Sequence, residues 1–69
     1  MIRVLLRWDE HGDEPVWMPN VPHTDEIVHM TMTGLYFRVT KVIHQIVVHT
    51  SDPLAHITLT QITREEALS

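Results

Sequence analysis

Ile27-Val28-His29-Met30-Thr31-Met32-Thr33-Gly34-Leu35-Tyr36-Phe37-Arg38-Val39-Thr40-Lys41-Val42-Ile43-His44 is the stretch that sets the fold class. Val28, Met30 and Met32 alternate with Ile27, His29 and Thr31, the two-residue period of a half-buried strand. Thr33-Gly34 supplies a two-residue turn, after which residues 35–44 alternate as a second strand. Strict alternation would put Lys41 on the face of Phe37 and Val39, yet Val42 is the better core residue. A β-bulge at Thr40-Lys41, one extra residue in the strand, is therefore expected to restore the phase.

Upstream, Ile2, Val4, Leu6 and Trp8 alternate with Arg3, Leu5 and Arg7, so residues 1–8 form a strand with both arginines on its polar face. Residues 9–26 hold three prolines, Gly12 and six carboxylates with no lysine or arginine, the composition of a long acidic loop. Within it, Val16-Trp17-Met18 is too apolar for a fully solvated loop. A short extended edge segment or an exposed patch is expected there, with Pro15 and Pro19 limiting its pairing. Downstream, residues 46–50 and 55–62 are two further strands joined by a turn at Ser51-Asp52-Pro53-Leu54, so residues 27–62 read as a β-meander. Thr63 stands three residues before Glu66, a capping-box spacing, and residues 63–69 are expected to form a short helical turn or a frayed tail.

Composition agrees with this all-β reading, since Val, Ile and Thr supply 22 of 69 residues and alanine only two. A chain this short buries only about 60% of its unfolded surface, which leaves room for one small domain over residues 1–69. The absence of cysteine excludes a disulfide framework, a thiol nucleophile and a thiolate metal site. Apolar runs stop at three residues, against roughly 18 for a membrane-spanning helix, and the N-terminal residues lack the pattern of a signal peptide. A cytoplasmic protein with no membrane partner is expected.

Five short strands with a long proline-containing acidic first loop suit a small curved barrel, because closure removes exposed strand edges. Val21-Pro22-His23-Thr24-Asp25-Glu26-Ile27-Val28 followed by Gly34-Leu35-Tyr36-Phe37-Arg38-Val39-Thr40-Lys41-Val42 resembles small SH3-like β-barrel proteins of bacteria and phages with the pattern V-P-x-x-G-D-x-V … G-x-x-Y-x-V-x-x-V. The pattern's glycine is replaced here, and Phe37 stands at its tyrosine. The resemblance covers about 25 residues, implies a five-stranded SH3-like barrel and carries no catalytic residue with it. It also implies a small accessory protein of a phage or mobile element that acts on host machinery.

Six histidines invite a metal reading, since neutral imidazole ligates zinc. Their spacing gives no two-histidine motif, and only His44, His49 and His56, on neighbouring predicted strands, are candidates to converge. Asp9, Glu10, Asp13 and Glu14 lack the ligand period and terminal glutamate of a calcium loop, so a solvated acidic turn is expected. No nucleophile-elbow glycines flank Ser51, and a chain this short hardly encloses a pocket to tune paired carboxylates. The expectation is a protein that is no enzyme and has no metal or cofactor.

Binding functions remain. Nucleic-acid binding by a small barrel would use Tyr36, Arg38 and Lys41, but a net charge of −4 with only five basic residues opposes it unless Arg3, Arg7, Arg38 and Lys41 converge on one face. The leading expectation is protein binding, to a host protein or to self. Trp17 and Met18 would serve as anchors within an acidic rim of Asp13, Glu14, Asp25 and Glu26, beside a strand edge. Trp17 has a second reading, as a lid over one end of the core; Trp8 is assigned to the core. Self-association into a homodimer would cover edges on strands 27–32 or 55–62, or the Ile46-Val47-Val48 run, which is apolar on both faces.

Overall fold

The computed structural model describes residues 1–8 and 12–69. Its strands are β1 (Ile2–Trp8), β2 (Glu14–Met18), β3 (Ile27–Met30), β4 (Leu35–His44) and β5 (Ala55–Ile62), followed by a short helix, α1 (Arg64–Leu68). The sheet order is β2-β1-β5-β4-β3, with β1 and β5 parallel and every other pair antiparallel. The sheet curls into a half-barrel whose two edges are β2 and β3.

Alternation fixes which side of each strand meets the core. Val4 and Leu6 of β1, Phe37 and Val39 of β4, and Ala55, Ile57 and Leu59 of β5 are buried on the concave side. The predicted bulge is present: the register steps from Val39 opposite Leu59 to Lys41 opposite Thr58, leaving Thr40 over. Val42 thereby faces Ile57 and packs against the core, while the Thr40 hydroxyl donates to the Thr58 carbonyl at 3.2 Å. Trp8 also belongs to the core, its ring tilted against Phe37 at 5.4 Å between centroids. The tail forms the expected single turn, with Glu66 N donating to Thr63 Oγ1 at 3.1 Å and Thr63 N to Glu66 Oε1 at 3.3 Å.

Four expectations are corrected. Residues 46–50 are not a strand: they belong to the β4–β5 connection, where Gln45 N donates to the Leu54 carbonyl and Leu54 N to the Arg3 carbonyl, both at 2.8 Å. Successive apolar residues lack the alternation that a one-sided core rewards, and the concave face beside β4 is already taken by β5. The fifth strand comes instead from the region read as a loop, where the expected edge segment is β2, with Pro15 on an open edge that needs no donor from it. β3 ends at Met30 rather than Met32, because a two-residue turn would need positive φ at Thr33 as well as Gly34. The chain uses the four-residue turn 31–34, in which only Gly34 is left-handed (φ 75°), and Met32 is 93% exposed. Finally, β5 is an interior strand and not an edge, since β1 returns beside it in parallel.

Candidate binding site

β1, β5 and β4 form the middle of the half-barrel, and its mouth lies between the two edge strands. An apolar trough of about 370 Å³ opens there. Core residues Leu6, Phe37, Ile57 and Leu59 form its floor, Val16 and Met18 of β2 and Val28 and Met30 of β3 its walls, and Trp17 and Met32 its rim. These side chains meet because the strands alternate in phase: Val16 stands opposite Val4, and Val28 opposite Phe37.

Trp17 and Met18 do not act as one anchor pointing one way. Consecutive strand residues face opposite sides, so Met18 packs on the core whereas Trp17 stands beside Arg3 and is 66% exposed. That exposure removes the lid reading of Trp17. The four named carboxylates divide into two pairs. Since β2 runs opposite to β3, Asp13 and Glu14 at the start of β2 and Asp25 and Glu26 before β3 stand at opposite ends of the mouth. Asp13 Oδ1 accepts from Arg7 Nε at 3.0 Å, an exposed pair that solvent screens. Glu26 closes a local turn, its carboxylate accepting from His23 N and its own N donating to the His23 carbonyl at 3.1 Å. Asp25 holds φ 74° and donates its backbone N to the Val39 carbonyl at 2.8 Å, while Val39 N donates to the Glu26 carbonyl at 2.9 Å. The β3–β4 pairing is thereby extended beneath the acidic corner. Asp9, Glu10 and His11 of the predicted acidic loop lie outside the described residues.

The convex face carries a different population. Arg3 and Arg7 of β1 and Arg38 and Lys41 of β4 all alternate with core residues, and the strands flank β5, so all four share that face. Tyr36 stacks on His29 with ring centroids 4.2 Å apart and planes nearly parallel, one rung from Arg38. Sequence reasoning named this convergence as a condition; what it lacked was the parallel β1–β5 pairing that meets it.

Convergence of His44, His49 and His56 is not realised. His44 and His56 sit on adjacent rungs pointing to opposite faces, His49 lies in the β4–β5 connection, and Gln45 Nε2 lies 2.9 Å from His56 Nε2. Among the described residues there is no group of three or more His, Asp or Glu placed to hold a metal ion. Ser51 and Asp52 lie in the β4–β5 connection, where the Ser51 carbonyl accepts from Arg3 Nη1 at 2.7 Å and Asp52 N donates to the His49 carbonyl at 3.0 Å. No helix among the described residues is long and apolar enough to cross a membrane. Compared with protein-family models, curated proteins and solved structures, the chain matches none.

Proposed function

We propose that this protein is a non-enzymatic binding module that takes an extended segment of another protein into the trough between β2 and β3. One observation carries the reading: the two free strand edges border an apolar trough floored by the protein's own core. An added strand can pair along either edge of the sheet, and its alternate side chains enter the apolar trough, the physics of β-augmentation. Carboxylate pairs at both ends of the mouth favour a segment with basic flanks, and exposed Trp17 on the rim offers the large ring that anchors interfaces.

In this reading the half-barrel is an open SH3-like barrel, supported by the β3–β4–β5 meander and the Val21–Val42 pattern, and the bound strand completes its closure. The same resemblance supports a small phage or mobile-element protein that binds or inhibits a host protein, and the lack of cysteine suits a cytoplasmic setting. The test is a fluorescence titration with a synthetic peptide of alternating valine and threonine between lysine pairs, against the same core between glutamate pairs. The lysine-flanked peptide is expected to bind more tightly, and Trp17→Ala to weaken it about tenfold or more while the folded spectrum persists. Equal affinity for both peptides, or none for either, contradicts the reading. A homodimer that buries the mouth without peptide would replace the foreign strand by a second copy.

A further inference from the structure

We infer that the convex face of the sheet is a second, separate site, which binds single-stranded nucleic acid through its phosphates and bases. Four of the chain's five basic residues lie on that face, and none of the strand residues presented there is a carboxylate. Arg7 and Lys41 both stand opposite Thr58, from either side of β5, so they are two strand spacings apart, about 10 Å. Arg38 stands opposite Thr60 on the next outward-facing rung, and the bulge at Thr40 is what returns Lys41 to the same side.

The net charge of −4 is carried off the strand positions of this face. Among the described residues Glu14 projects from β2 on the concave side, Asp25 and Glu26 lie in the turn before β3, Asp52 in the β4–β5 connection, and Glu65 and Glu66 on α1. Asp13 does reach the face, on Arg7, but both partners are exposed, so the pair is weak and a phosphate can displace it.

Charge alone would equally suit an acidic protein or an anionic lipid surface. The aromatic groups decide for a nucleic acid: the Tyr36–His29 stack lies beside Arg38, and half-buried Tyr36 holds its ring where a base can stack against it. Basic residues tracking a backbone next to aromatic platforms are the recurring equipment of single-strand binding.

The test uses fluorescence anisotropy of labelled oligothymidylate with the full chain. Three or four phosphate contacts predict a slope of log K against log salt of about −2 to −3 between about 50 and 200 mM salt. Arg38→Gln with Lys41→Gln, which keeps most of each stem in place, is expected to reduce affinity about tenfold and to flatten the slope by about 1.4. Tyr36→Leu should weaken binding about fivefold or more and leave the slope unchanged, the mark of lost stacking. Circular dichroism of each variant confirms the fold. No salt-dependent anisotropy in the wild type overturns the proposal, as does binding to phosphatidylserine vesicles that oligothymidylate does not compete away.

Discussion

Two aromatic side chains, Phe37 and Trp17, divide the labour at the residue scale. Phe37 is fully buried, so Phe37→Ala is expected to cost about 3–5 kcal/mol, a large part of a small domain's stability, and to unfold the protein in a thermal melt. Trp17→Ala removes a ring that is mostly in solvent and should shift stability by no more than about 0.5 kcal/mol. Two glycines make a parallel contrast. At Gly34 an added Cβ meets nothing within 4 Å, so Gly34→Ala acts through its φ of 75° alone, with an expected loss of about 1 kcal/mol in urea unfolding at unchanged m-value. Gly12 has the same open surroundings without positive φ, and Gly12→Ala should be close to neutral. Phe37 was legible from alternation. The parting of Trp17 from Met18 was not, because it depends on β2 being a strand, and the prolines around it read locally as a loop. Asp25 was equally hidden: it holds the left-handed conformation without being a glycine.

At the scale of elements, propensity and pairing point in different directions in two segments. Residues 46–48 are β-branched and apolar, yet they form no strand, and Ile46 and Val48 are 98% and 82% exposed. The segment Glu14–Met18 contains a proline and follows acidic residues, yet it pairs with β1 along five rungs. A strand exists where a partner edge and a core face are both on offer, and neither is written in a local window. Where local chemistry does suffice, the sequence was enough: the bulge follows from the competition between Lys41 and Val42, and α1 from the Thr63 and Glu66 capping box. Because this helix has only five residues, its cap is a large share of what holds it. Thr63→Ala is expected to remove about 1 kcal/mol and with it the helical turn, seen as faster amide exchange over residues 64–68.

For the whole molecule, the decisive feature is the parallel pairing of β1 with β5, a contact between chain ends that no hairpin rule foretells. It places β5 in the interior, exposes β2 and β3 as edges, leaves the barrel open along its mouth and gathers the basic residues on the convex face. All-β class and most strand positions were thus legible, whereas the binding surfaces arise from sheet order. The central claim is that the mouth between β2 and β3 receives an extended segment, and amide chemical shifts of isotope-labelled protein titrated with the lysine-flanked valine–threonine peptide test it most directly. The account predicts shifts concentrated on residues 14–18 and 27–30 and strongly reduced in Trp17→Ala. Saturable shifts confined to the convex residues of β4 and β5, or no shifts at all, would contradict it.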